Sequence, residues 1–259
     1  MVDQTTKMKL PSQFVKGIVL LSLLLMVATY PHKDALPEPD YYASPPTPPI
    51  QRNTRLKPFE TEVNGERYQI SPRFDYELEG VIVSAHEADA LGDIWHHDKW
   101  HDFLNTRDLC VIWGDNLSSG VYRQMVFEND SWTCWAYWPN AGVRSRFDMT
   151  QLSNNHLLTD DPAINDIIMD ARIGDRVRLK GQLASYRNLD NGFFRDTSTV
   201  RNDTGNGACE TIHVREFEIL ERASTTARRL FDLAKWILTV SLSIGLLLFF
   251  LTPARGINE

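Results

Sequence analysis

Cysteine is scarce in this chain, with 3 residues in 259. That is too few for the disulfide scaffold of a small secreted domain. Basic residues are outnumbered: 27 Lys and Arg against 34 Asp and Glu leave a net charge of −7. No nucleic-acid partner is therefore expected, because such binding needs a basic surface that displaces counterions from phosphates. Internal repeats are absent. The zinc-protease pattern is absent too, since His97 is followed by Asp98 rather than a glutamate. Asp203-Thr204-Gly205 occurs once and follows Arg201-Asn202 rather than an apolar strand, so it reads as a turn and not as an aspartic-protease triplet.

Long apolar runs are missing from the middle and occur only towards the two ends: Gly17 to Tyr30 and Trp236 to Leu251. Extended by their flanks, they reach the low end of what spans a bilayer. The chain therefore divides into a cytoplasmic N-terminus (1–13), a transmembrane anchor (14–30), a proline-rich linker (31–57), a soluble β-rich domain (58–220), a helical connector (221–234), a second transmembrane helix (235–252) and a short tail (253–259). Lys7, Lys9 and Lys16 before the first run give it the character of an uncleaved signal anchor with a cytoplasmic N-terminus. Arg222, Arg228, Arg229 and Lys235 before the second run pull the other way. The first helix usually dominates, which places the domain outside. Ser241 and Gly245, four apart, mark a face suited to close helix packing.

Within the domain, Asn64-Gly65 between alternating segments signals a hairpin. Tyr76–Ser84, Leu109–Trp113, Arg176–Leu183 and His213–Leu220 read as strands, and Gln124–Phe127 with Trp132–Trp138 as a second hairpin. Ile94 to Leu104 reads as a short helix. Asp161-Pro162 caps another, with Ile164, Ile167, Ile168 and Ala171 on its apolar face. The expected fold is mainly β with one or two short helices, a partly open OB-like β-barrel flanked by two transmembrane helices.

The candidate site residues fall into three groups. His96, His97 and His101 form a cluster; on a helix, His97 and His101 lie four apart and could chelate zinc, with Asp98 and Asp102 near and His86 or His156 completing the set. The plainer alternative is a helix that lays Trp95, Trp100 and Phe103 on the barrel, needing no cofactor. Ser153, Asn154, Asn155 and His156 read as a loop before the capped helix, and with Asp203 and Asn206 they form the expected ligand-binding loops. Asp203 and Glu210 would pair with arginines or cap their turn. Cys110 and Cys134 could face each other across neighbouring strands in a disulfide. The competing reading, three free buried thiols, is favoured by the usual burial of free cysteine. Alternation puts Trp132 and Trp138 on one face and Trp135 on the other. With Trp113 they are expected to form a core plus a half-covered outer face; a flat exposed aromatic patch would instead mark a partner or ligand surface.

Four segments, DLCVIWGD (108–115), SNNHLL (153–158), GDRVRLKGQL (174–183) and DTGNGACE (203–210), resemble an uncharacterised family of bacterial membrane-anchored proteins. That resemblance implies an anchored domain and no particular chemistry. The expected function is a non-catalytic interaction or assembly module of the cell envelope, with the membrane and a protein as partners. The alternatives are a metal-dependent enzyme using His96, His97 and His101, and an envelope sensor acting through a membrane partner.

Overall fold

The computed structural model describes residues 4–88, 96–203 and 208–251, with backbone alone at 4–12 and 251. They form two compact units: a helical unit from residues up to Ala35 and from Ser224 onward, and a β-rich unit over Leu36–Ala223.

The helical unit pairs α1 (Gln4–Thr29) with α5 (Thr226–Leu251). Both are long and apolar enough to cross a membrane, over Gln13–His32 and Thr226–Phe250. Leu20, Leu21, Leu24, Leu246, Leu247 and Phe249 stand exposed. A soluble helix would bury such a set, whereas lipid solvates it. The connector expected at 221–234 is not separate. Glu221 ends a strand, and α5 then runs unbroken from Thr226, with no proline or glycine before Gly245. Val15 Cγ1 would lie 3.6 Å from a Cβ at Gly245, and Ser241 is buried, so small residues do admit α1 here.

The β-rich unit contains β1 (Ile50–Asn53), β2 (Phe59–Val63), β3 (Glu66–Glu87), β4 (Asn105–Ile112), α2 (Gly114–Ser118), β5 (Val126–Asn129), β6 (Cys134–Tyr137), α3 (Ala141–Arg144), β7 (Leu152–Leu158), α4 (Pro162–Asp170), β8 (Arg176–Asn188), β9 (Phe194–Arg195) and β10 (Glu210–Glu221). β3 pairs with β4 and β8, β4 with β7, and β10 with β7 and β8; among these pairs β7–β10 is parallel and the others antiparallel. Asn64 and Gly65 take φ of 53° and 81°, which closes the β2–β3 hairpin as their sequence requires. β3 is one long strand where two were expected. Its register shifts between Pro72 and Phe74, because proline cannot donate to the ladder and the strand bulges there instead of ending.

The main core gathers Leu78, Leu109, Val111, Trp113, Leu157, Leu179, Ile212 and Val214. α4 closes it with Ile168 and Ala171, while Ile167 faces solvent, contrary to expectation. Asp161 Oδ1 accepts from Ala163 N at 2.8 Å and caps α4. At its other end, buried Arg107 donates from Nη1 to the carbonyls of Ile168 (2.8 Å) and Ala171 (2.6 Å), groups a helix end leaves orphaned. Gly181 lets β8 and β10 close up: a Cβ there would stand 2.1 Å from His213 O.

The stretch expected as a free linker differs from Leu36 onward. It lies against the β-rich unit as a strap. Tyr42 is buried and donates from its hydroxyl to Gly174 O at 2.7 Å, Tyr122 Oη donates to Pro37 O, and Gly114 N donates to Pro46 O at 3.2 Å. Prolines keep the strap extended, and the aromatic residue between them fixes it.

Candidate functional site

β4 and β7 set Asp108 opposite His156 and Cys110 opposite Asn154. Ser153–His156 is thus a buried strand and not the loop expected from its polar residues. Asn155 Nδ2 donates to Leu109 O at 3.0 Å, so the strand carries its polar groups by bonding them across the sheet. On the opposite face, His156 Nδ1 stands 2.8 Å from Asp108 Oδ1, with the two side chains 2% and 1% exposed. Asn105 Nδ2 donates to Asp108 Oδ1 at 3.1 Å and lies 3.0 Å from His96 Nε2. Burial opposes ionisation of Asp108, but His156, Arg195 and His96 outweigh it and hold the carboxyl below its usual range. Burial lowers the His156 pKa despite Asp108. The pair is therefore a carboxylate facing a neutral imidazole.

A second buried pair lies alongside. Tyr186 Oη donates to Asp102, whose carboxyl is raised by burial, and Asn105 N donates to Asp102 Oδ1 at 3.3 Å. Tyr68 Oη donates to His101 O at 2.5 Å and accepts from Phe103 N at 2.9 Å. These bonds lash the segment 96–104 to the sheet. Above them Arg195 lies 4.6 Å from the centre of the Trp132 ring, Trp132 lies 4.4 Å from Trp100, and Trp100 stacks on Phe193 at 5.3 Å. Asp108 Oδ2 and Arg195 Nη1 are buried and neither meets a hydrogen-bond partner among the described residues.

The β5–β6 hairpin is fastened over this face. Cys134 is joined to Cys110 by a disulfide with a Cα–Cα distance of 5.8 Å, and Cys209 is free. Asn154 binds the hairpin's turn: its Oδ1 accepts from Asn129 Nδ2 at 2.8 Å and its Nδ2 donates to Trp132 O at 3.1 Å. Phe127 packs on Phe147 at 5.9 Å. The outward side is aromatic and open, with Trp132 43%, Trp135 47%, Tyr137 49% and Trp138 40% exposed. Trp135 and Tyr137 share the outer face of β6, and Trp132 and Trp138 flank that strand. Trp113 lies in the main core, while Trp132, Trp135 and Trp138 stand on the outer side, because Cys134 and Ala136 occupy the inward positions of β6. Asp130 orients the platform, accepting from Trp132 N (2.8 Å), Thr133 N (2.7 Å) and Trp135 Nε1 (3.0 Å).

The histidines do not form the expected zinc site. Residues 96–100 form a turn, and His101 has φ of 49°, so His97 and His101 share no helix face. His97 lies against Phe103 at 4.8 Å, and His101 Nδ1 meets Glu66 Oε1 at 2.9 Å. No group of three His, Cys, Asp or Glu among the described residues is arranged to hold a metal. Trp95 and Asn206 lie outside the described residues. Asp203 accepts from Ser198 Oγ at 2.6 Å, and Glu210 meets Arg201 at 2.7 Å. Both hold described residues of the stretch after β9: Asp203 ties to Ser198, and Glu210 to Arg201.

Asn105, Asp108, Tyr186 and Arg195 escaped the sequence reading, which placed Asp102 only near the histidine cluster. The one available signal was Asp108 beside Cys110 in strict alternation, which puts a carboxylate on the same face as the disulfide. No family model matches this chain, and neither does any curated protein or solved structure, so the resemblance rests on its four segments alone.

Proposed function

We propose that this is a non-catalytic interaction and assembly module of a bacterial cell envelope. In this reading α1 and α5 sit in the inner membrane and the β-rich unit stands in the periplasm. The disulfide supports that side, since such bonds persist in oxidising compartments. We further propose that the unit is an OB-like barrel. Its support is the pairing circuit β3–β4–β7–β10–β8–β3, with α4 between β7 and β8. OB folds take ligands on the face of their second and third strands and on two flanking loops. Here that face is β4–β7, and the loops are those after β3 and β8.

The observation that carries the reading is the aromatic hairpin. Four large rings stand open on a strand pair stapled to β4. Rigid Trp and Tyr side chains lose little entropy on contact and dominate binding energy at protein interfaces. The buried polar pairs below hold the platform and its loops. The metal-enzyme alternative loses support because its histidines diverge.

A photoreactive residue placed at Tyr137 in intact cells tests the reading. The expected result is one discrete protein adduct, absent when the same residue replaces exposed Glu218. No adduct, or identical adducts from both positions, contradicts it.

A further inference from the structure

A recess of about 380 Å³ opens on the outer face of β3 and β8, past the bulge at Pro72. Strand alternation puts Gln69 and Ser71 of β3 on one face with Ser185 and Arg187 of β8, and Arg73, the extra residue of the bulge, also lines the recess. The register sets Ser71 opposite Ser185 and Gln69 opposite Arg187, so donors from the two strands meet side by side. Ser185 is buried, and Phe194 of β9, paired with Arg187, walls the recess with a half-exposed ring.

The charge in this recess is not balanced from within. Arg187 lies 5.3 Å over the Phe194 ring and has no carboxylate at ion-pair distance among the described residues. Arg73 meets only Asp196, at 3.8 Å, with both side chains more than half exposed. Glu60 of β2 stands opposite Gln69 in the β2–β3 pair. In a chain of net charge −7, such a recess is a local feature and not the spill-over of a basic surface. Two guanidinium forks, two hydroxyls and an amide present more donors than the two oxygens of a carboxylate accept. A phosphate, with its three terminal oxygens and double charge, accepts them.

We infer that this recess binds the phosphate group of an organic phosphate, with the adjoining part of the ligand lying on Phe194. Its volume lies in the range of small-ligand sites. Neither the aromatic hairpin nor the Asp108–His156 pair enters this site.

The test uses the full chain in a zwitterionic, phosphate-free detergent and titrates phenyl phosphate by calorimetry against chloride at matched ionic strength. Saturable binding is expected in the wild type, weakened roughly tenfold or more in Arg187→Ala. Phe194→Ala is expected to weaken phenyl phosphate and leave inorganic phosphate unchanged. Near-UV circular dichroism of each variant establishes that it is folded. Equal titrations in wild type and Arg187→Ala, or a response no larger than that to chloride, overturn the inference. Competition with short-chain phosphatidic acid, whose headgroup is a phosphate monoester, identifies the source: displacement assigns the site to a lipid headgroup, and no displacement assigns it to a soluble phosphate.

Discussion

Asp108 Oδ1 and His156 Nδ1 lie 2.8 Å apart on neighbouring antiparallel strands, in a part of the sheet closed to solvent. A carboxylate buried to this degree persists only when it is paired and hydrogen-bonded. Asp108→Ala strips His156 and Asn105 of their shared acceptor at once, and is expected to cost about 3 kcal/mol or more. Denaturant unfolding of the full chain in detergent, followed by tryptophan fluorescence, measures it.

The same pair has a signature in pH. The His156 pKa is lowered from an ordinary value of 6.5. The unfolded chain therefore takes up a proton that the folded chain refuses, and stability is lost as pH falls below about 6.5. His156→Gln is expected to flatten that slope in melting curves taken between pH 7 and pH 5.

Glu210 works in the opposite sense. Burial lifts its carboxyl to about 7 against the pull of Arg201 at 2.7 Å. The folded chain here holds a proton that the unfolded chain releases. Its contribution is complete below about 4.5 and is lost as pH rises through about 7. Glu210→Gln is expected to abolish the loss of melting temperature between pH 6 and pH 8. A slope that persists in the variant assigns it to another group.

The disulfide predicts a thiol count. The denatured, unreduced chain is expected to take one alkyl group, at Cys209, and the reduced chain three. Cys134→Ser opens a link spanning 24 residues and is expected to cost about 3 kcal/mol. Limited proteolysis should then cut first within Val126–Tyr137.

Gly181→Ala places a methyl 2.1 Å from His213 O, against backbone that cannot swing aside. The cost is expected to exceed the ~1–3 kcal/mol typical of overpacking, and a thermal melt reads it directly.

What the sequence disclosed is local. Asn64-Gly65 and Asp161-Pro162 specify their turn and cap through their own backbone chemistry, and both stand where they were expected. What it concealed is tertiary. Ser153–His156 has the composition of a turn, and only Leu109 O and Asp108, far away in sequence, make it a strand. The proline-rich stretch looked like a spacer because Tyr42 finds its partner at Gly174. The zinc site failed on one assumption, that 94–104 is helical, which the φ of His101 contradicts. The usual burial of free cysteine favours three free thiols, and the Cys110–Cys134 disulfide departs from that because nothing in one chain fixes the offset between a hairpin and the strand beneath it.

The central claim is that the aromatic hairpin docks a protein partner. Native mass spectrometry of the full chain, extracted from its membrane in mild detergent, tests it most directly. We predict a stoichiometric second protein on the wild type that is lost from the Trp135→Ala/Tyr137→Ala variant. The bare chain mass in both, or the same companion retained by the variant, would contradict the account.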